Sequence, residues 1–564
     1  MEAYLVPLIE AVDFLKMIVM DGLYNMIAYF IMGCLVSYFI IRYFRFGFFM
    51  LLFCIIGTTL YLYYTIALQP FLRTLIYRVL PYTFCNIILY VYAHKEETPT
   101  NINKKYKVII RTKGARLILD NIRKGISIIG AAGSGKTESV VYSFLEHFGN
   151  NEFCGVMHDY KNFEITEMAY PIFQKSNIDF YIISFDPIHQ KVNPIAPKYL
   201  PDEESVYEIS RVLLENLLEL RESDNNSSRF FKDAVEGLIG GIIWRLKTDY
   251  KDYCTIPHMI ALYQFLETKE LVKFLKGDLT SKAMADAFIS GVGSDRQTAG
   301  VKSTLANAFK KISTKKIFMV LSEDEIPLNI NNSQNTAVIS IVNNPKKEAS
   351  LSPVIATIMH TITKQMSERG QNPSFVLLEE ASTIRLLNMH RIPATLRSYD
   401  IVCLYILQDK IQNDMMYGDK ASKAILANLS YQFFGKANDP DTAKYYERFF
   451  EIVKKPTRSV NKGYNLNFDT RITEGEKEVS KTRADAFYRL NQGEFIVFAD
   501  GKDRKVQFKL PTIERALPEH EKITQKDLDD NFIRIHNEVK SMFNRCFFIQ
   551  HIELISKEES MRKN

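Results

Sequence analysis

The stretch ISIIGAAGSGKT, residues 126–137, decides the fold. Ile126 to Ile129 is a short, β-prone apolar run. It leads directly into Gly130-Ala131-Ala132-Gly133-Ser134-Gly135-Lys136-Thr137, a complete G-x-x-x-x-G-K-T pattern. Glycines let the backbone curl until successive N–H groups face phosphate oxygens. Gly130, Gly133, Ser134 and Gly135 are therefore expected to form the cradle for ATP. Lys136 is expected to reach the β- and γ-phosphates, and the Thr137 hydroxyl to ligate Mg²⁺. Glu138 to Phe148 reads as a helix. Its N-terminus, with Glu138 in the first turn, adds a favourable dipole for the anion. A strand before the glycines and a helix after them separate this pattern from a chance turn.

A nucleotide hydrolase also needs a carboxylate at the end of a neighbouring strand. Ser374-Phe375-Val376-Leu377-Leu378 reads as a buried parallel strand, and Glu379-Glu380 follow at its carboxyl end. Glu379 is placed to hold Mg²⁺, directly or through water, and Glu380 to polarise the attacking water. Another apolar strand, Ile401 to Leu407, ends at Gln408. Gln408 either senses the γ-phosphate and orients water, or caps the following turn. Arg397 lies just before this strand. It is either a finger completing a neighbouring subunit's site or a surface arginine.

Working outward, apolar strands at about 126–130, 154–158, 179–184, 336–341, 374–379, 401–407 and 430–434 alternate with helical stretches. That pattern predicts an α/β fold with a doubly wound, mostly parallel sheet. Later strands are expected at Glu494–Phe498 and Val506–Leu510, and a helix at Asp439–Phe450. Strand signals vanish between about 201 and 315, where Glu203–Leu220 and Ser228–Leu246 carry helical apolar spacing. This predicts an all-helical insertion (201–315) in a motor domain formed by 107–200 and 316–515, with a polar, helix-prone tail over 516–564.

Upstream, the composition changes. Leu23–Ile41 and Phe48–Leu68 are uncharged apolar runs, each about as long as a hydrocarbon core is thick. A shorter run, Val79–Ala93, follows Arg78. Residues 1–95 therefore read as a membrane anchor of two or three transmembrane helices. Arg42 and Arg45 favour a cytoplasmic first loop, and either topology delivers the motor to the cytoplasm. The acidic first residues, Glu2, Glu10, Asp13 and Asp21, do not suit a cleaved signal peptide.

Across 564 residues, 71 basic side chains face 65 acidic ones, for a net charge of +6. That near balance does not by itself announce a nucleic-acid binder. The cysteines are scattered without a C-x-x-C or Cys/His cluster, which argues against a zinc site or disulfide framework.

The order of these features resembles the type IV coupling proteins, the TraG/TraD-like ATPases of conjugative DNA transfer. The resemblance covers nearly all of the chain after residue 107. It rests on His158-Asp159-Tyr160-Lys161, Val192-Asn193-Pro194-Ile195 and Ser228-Arg229-Phe230-Phe231-Lys232-Asp233-Ala234. It rests most on Leu396-Arg397-Ser398-Tyr399-Asp400-Ile401, Leu407-Gln408-Asp409-Lys410, Tyr417-Gly418-Asp419 and Phe434-Gly435-Lys436-Ala437-Asn438-Asp439. The family's usual Asp-Glu pair is here Glu379-Glu380.

The resemblance implies a RecA-like P-loop motor, a homo-hexamer with ATP and Mg²⁺ between subunits, and a multi-pass anchor in the bacterial inner membrane. It implies that hydrolysis drives single-stranded DNA, carried by a relaxase complex, towards the inner-membrane components of a type IV secretion channel. Two rivals keep the motor: a coupling ATPase that delivers protein effectors, and an FtsK/HerA-like DNA translocase. The sequence does not separate effector delivery from DNA transfer. A chromosome-segregation translocase usually carries a winged-helix DNA reader, for which residues beyond 515 leave little room. An ABC-type transporter is disfavoured by the missing LSGGQ-like signature, and a non-enzymatic scaffold by the intact phosphate loop.

Overall fold

The computed structural model describes residues 22–43, 46–93, 104–218, 226–462 and 470–561. The chain divides into two compact units, Met1–Lys104 and Lys105–Asn564.

In the first unit the helices Gly22–Tyr43, Gly47–Thr65, Leu68–Thr74 and Leu80–Ala93 are described, with a π-helical turn at Leu75–Val79. They hold together through small polar and aromatic contacts. The Ser37 and Tyr82 hydroxyls lie 2.6 Å apart, and the Phe48 and Tyr90 rings are 4.2 Å apart. Among the described residues, one helix, Gly47–Thr65, is long and apolar enough to cross a membrane, and Phe30–Ile41 is a shorter apolar stretch. Phe53 and Tyr64 are 78% and 82% exposed. Large rings left uncovered on an uncharged helix suit lipid rather than water. Of the three expected spans, only the second coincides with a helix that suffices by itself.

The second unit is built on one sheet. Its strands are β3 Ile126–Ile129, β4 Cys154–Asp159, β5 Asp179–Ile183, β6 Ala337–Val342, β7 Ser374–Leu378, β8 Ile401–Leu407, β9 Tyr431–Phe434, β12 Glu494–Ala499 and β13 Lys502–Gln507. The remaining strands form two separate hairpins, β1 Val108–Arg111 with β2 Arg116–Leu119, and β10 Ile452–Lys462 with β11 Thr470–Ser480. The sheet order is β13-β12-β9-β3-β8-β7-β4-β6-β5. From β9 to β5 every pair is parallel, while β12 and β13 add antiparallel strands at one edge. The seven parallel strands fall where the apolar runs placed them. All but the edge strand β5 are buried on both faces, so a continuous apolar run rather than an alternating one marks them. β13 lies earlier than expected, because an edge strand buries little and its KDRKVQ sequence carries almost no apolar signal.

Between β5 and β6 the described residues form helices and no strand. The longest are Glu203–Leu218, Asn226–Asp249 and Asp295–Ile312. Their core is continuous with one face of the sheet: Val235, Leu238 and Ile242 belong to the same buried cluster as Val156, Ile339 and Val376. The other face buries Phe144, Phe148, Phe375 and Phe433, with Val108 and Ile110 of the first hairpin. The last helix, Gln525–Met561, lies on the helical region rather than apart from it. Phe532 packs on Phe318 with ring centres 4.8 Å apart, Lys315 pairs with Asp529 at 2.5 Å, and His258 meets Glu538 at 2.9 Å.

Candidate functional site

The site lies at the carboxyl ends of the parallel strands, where open α/β sheets place ligands. β8 runs between β3 and β7, with Ile129 level with Leu407 and Leu378 level with Tyr405. That register sets three elements side by side: the phosphate loop after β3, Gln408 after β8, and the paired glutamates after β7.

The loop is shaped by its glycines. Gly133 and Gly135 have φ of 74° and 85°, a region that L side chains rarely occupy. A Cβ on Gly130 would stand 2.9 Å from the Ser134 hydroxyl and 3.2 Å from Gly435. The neighbouring loops hold the turn in place. The Ala131 N–H donates to the Lys436 carbonyl at 2.7 Å, and the Gly493 N–H to the Ser134 carbonyl at 2.9 Å. The chain then enters a helix, with a π-helical first stretch at Lys136–Val141 and an α-helix over Tyr142–Asn150.

Lys136 is buried, and its ammonium donates to the carbonyls of Gly130 and Ala131. Burial lowers its pKa, while the charge of Glu380 opposes that shift. The lysine is thus folded back on its own loop, within reach of any anion seated there. Thr137 is also buried. Glu138 points away to pair with Arg515 at 3.1 Å, so its side chain supports the helix start rather than lining the cradle.

Glu379 and Glu380 are each 2% exposed. Glu380 sits at φ 44°, which turns it out of the strand direction. Its Oε1 accepts from the Gln408 amide at 2.9 Å, and its Oε2 has no hydrogen-bond partner. Glu379 Oε2 accepts the Tyr160 N–H at 3.0 Å, and its Oε1 lies 3.3 Å from the Lys161 ammonium. Burial raises the pKa of the Glu379 carboxyl, Asp159 raises it further, and Lys161 opposes both. Asp159 caps the next helix by accepting from the Thr166 N–H and hydroxyl, and leaves its Oδ1 unpaired. His158 donates to the Glu379 carbonyl at 2.9 Å; burial holds it neutral, with its pKa pushed down to about 4.

These buried oxygens without partners are the observation that speaks for a ligand. Ser134 Oγ in the loop after β3 and Glu380 Oε2 at the end of β7 have no partner, Glu379 Oε1 has only the Lys161 ammonium, and a buried acceptor left unmade costs free energy. A hydrated cation and a phosphate supply what is missing: donors for the carboxylates and an anion for the loop. The residues present fit Mg²⁺ with a nucleotide. Beside the Glu380 turn a cleft of about 730 Å³, lined by Tyr160, Glu348, Ser382, Arg385, Gln412 and Met415 among others, opens to solvent.

Arg397 is not brought to this cluster within its own chain. It ends the short Ile392–Arg397 helix and precedes β8, whose far end carries Gln408. Seven extended residues separate the two ends by roughly 20 Å. Arg397 is exposed and lines a groove with Lys124, Phe449 and Asp500. Lys161, by contrast, faces Glu379 directly and was absent from the expected site. Its signal was available: a lysine two residues after an aspartate that closes a buried strand.

Residues 373–450 match the family model described as the TraM recognition site of TraD and TraG. No curated protein sequence matches the chain. Among solved structures, the unbound monoclinic form of the bacterial conjugative coupling protein TrwBdeltaN70 superposes with a TM-score of 0.57 at 12% identity, covering 73% of this chain and 90% of that one. TrwB in complex with ADP and Mg²⁺ gives 0.55 at 13% identity, covering 70% and 88%. TrwB with the non-hydrolysable ATP analogue ADPNP gives 0.54 at 12% identity, covering 70% and 87%. A TraD/TraG sequence segment and a coupling-protein fold thus agree with the motifs of the chain: what it resembles is a type IV coupling protein.

Proposed function

We propose that the protein is a membrane-anchored ATPase that couples a relaxase–DNA complex to a type IV secretion channel and moves single-stranded DNA during conjugation. The observation that carries this reading is the joining of three elements at one sheet edge. The phosphate loop, the Glu379-Glu380 turn and Gln408 meet in a fold shared with a conjugative coupling protein.

In this reading the loop N–H groups and Lys136 hold the phosphates of ATP. Lys136 exchanges its carbonyl partners for phosphate oxygens. Thr137 and Glu379 hold Mg²⁺, which when bound neutralises charge on the phosphates. Gln408 fixes Glu380 by one oxygen, so the other, Oε2, is free to accept a proton from water aimed at the γ-phosphate. Arg397, stranded at the opposite sheet edge, serves a neighbour's site, which requires a ring such as a homo-hexamer. Residues 107–200 and 316–515 act as the motor. Residues 201–315 form an insertion that receives substrate, with part of the 516–564 tail packed on it. Residues 1–95 form a multi-pass anchor in the bacterial inner membrane, docked on secretion components. The match to a TraM recognition model supports contact with relaxosome proteins.

The test is ATP turnover by the full chain reconstituted in lipid, with and without single-stranded DNA. Stimulation by DNA that Lys136→Ala removes supports the reading. Turnover indifferent to DNA, but raised by a secreted protein, points to effector delivery instead.

A further inference from the structure

The β1–β2 hairpin has two unlike faces. Val108, Ile110, Leu117 and Leu119 are buried beneath the sheet. On the other face the register pairs Ile109 with Ile118 and Arg111 with Arg116. Ile109 and Ile118 are 51% and 46% exposed, and both arginines are exposed. Neither arginine has an ion-pair partner among the described residues. Like charges directly opposite on a ribbon repel, and an exposed isoleucine pair hides nothing from water. Local folding therefore does not explain this face.

The basic character extends beyond the hairpin. The exposed Arg504 of β13 donates to the Arg116 carbonyl at 3.2 Å, the Lys113 N–H donates to the Gln507 carbonyl at 2.8 Å, and Lys509 is exposed beside them. Of the acids nearby, Asp120 pairs with Lys107 and Asp503 with Lys481, which leaves Glu146 as the carboxylate that Arg111 senses. The patch thus combines an excess of cations, Arg111, Arg116, Arg504 and Lys509 against Glu146, with a small apolar centre. Phosphate-backbone binding would explain the cations and leave the isoleucines idle. An interfacial lipid surface uses both, since headgroups take the arginines and the acyl boundary takes the isoleucines. The chain supplies the proximity. The last described helix of the apolar block ends at Ala93 and β1 begins at Val108, a tether of about 50 Å even fully extended.

We propose that the outer face of the β1–β2 hairpin, centred on Ile109 and Ile118 and rimmed by Arg111, Arg116 and Arg504, docks on the anionic lipid headgroups of the membrane in which the chain is anchored. This rests on the membrane-anchor reading and is independent of ATP chemistry. Docking would hold the motor at a fixed orientation to the bilayer. Each basic side chain near an anionic surface strengthens partition roughly fivefold, so three acting together outweigh a neutral bilayer clearly.

The test places a benzoylphenylalanine photo-crosslinker at position 118 of the full chain, in vesicles of phosphatidylcholine alone or with one part in three of phosphatidylglycerol. Vesicle flotation reports the anchor separately from the hairpin. The expected result is a lipid adduct on anionic vesicles, reduced at least about tenfold on neutral ones and by Arg111→Glu with Arg116→Glu, while flotation is unchanged. The same probe at Leu279, exposed on the helical region, should give none. Flotation without lipid adducts at position 118 overturns the docking and leaves the anchor intact. Adducts to an added oligonucleotide or to a second copy of the chain, in place of lipid, also overturn it.

Discussion

The carboxyl edge of the sheet and the helical region behind it treat buried polar groups in opposite ways. At the sheet edge, Ser134, Asp159 and Glu380 each bury an oxygen without a partner, and Glu379 Oε1 meets only the Lys161 ammonium. In the helical region the comparable groups are mostly satisfied. His258 accepts from the Thr255 hydroxyl at one ring nitrogen and donates to Glu538 at the other. The Ser281 hydroxyl donates to the Gly241 carbonyl, and the Asn193 amide to the Cys254 carbonyl. The same chain thus gathers unpaired carboxylate oxygens where a ligand would complete them, while the unpaired atoms of the helices, such as Arg245 Nε and Asn531 Nδ2, are scattered. The contrast predicts that changes at the edge alter chemistry more than stability, and changes in the helices the reverse.

The largest effect is expected from Lys136→Ala. Turnover should fall to background, on the order of a thousandfold or more, because the loop loses the ammonium that would meet the phosphates. The melting temperature should change little, as the ammonium's hydrogen bonds in the resting site go to carbonyls of its own loop. Steady-state ATPase and thermal melting, read on the same preparation, check both halves.

Next is Arg397→Ala. A trans-acting role predicts a loss of about a hundredfold or more in turnover, with nucleotide binding retained. Mixing with Lys136→Ala subunits should restore part of the activity, since a mixed ring contains interfaces with both residues intact. Mixed rings that form yet stay inactive without DNA load would make Arg397 a structural residue of its groove.

Glu380→Gln sharpens the contrast from another side. Hydrolysis should drop about a hundredfold while ATP binding persists. The amide keeps the shape of the side chain, so the protein should melt close to wild type. A clear loss of stability would mean that the carboxylate serves the fold.

In the helical region, His258→Ala should do the opposite. It breaks two buried hydrogen bonds and should cost about 1–3 kcal/mol, read by denaturant unfolding, while basal ATPase stays within a few-fold. A smaller effect follows from pH. Burial lowers the His258 pKa, so the unfolded chain binds the proton more readily. The docking of residues 525–543 should therefore be firm above about pH 6.5 and loosen as pH falls below it. Hydrogen exchange of that segment should be faster at pH 5.5 than at pH 7.5; equal or slower exchange would contradict the sign.

Much of this contrast was legible in the sequence. The seven parallel strands, the phosphate loop and the Glu379-Glu380 turn each carry a local signal, continuous in the strands that are buried on both faces. What was missed lacks such a signal. β10, with IVKKPTRSVNK, pairs only with β11 and mixes charge and a proline into an isolated ribbon. β1 and β2 are short and half-exposed. The position of Lys161 against Glu379 depends on β4 lying beside β7, a neighbour relation that no local window contains. The tail read as helix-prone, but its docking through Phe532 and Glu538 is a long-range event.

The central claim is that Glu380 Oε2, held by Gln408 and otherwise unpaired, aims the water that cleaves ATP at this sheet edge. The most direct measurement is a single-turnover experiment with radiolabelled ATP on the reconstituted full chain, wild type against Glu380→Gln. The account predicts that both bind ATP with affinities within a few-fold, and that only the wild type releases phosphate, faster with single-stranded DNA present. Phosphate release by Glu380→Gln at the wild-type rate would contradict it.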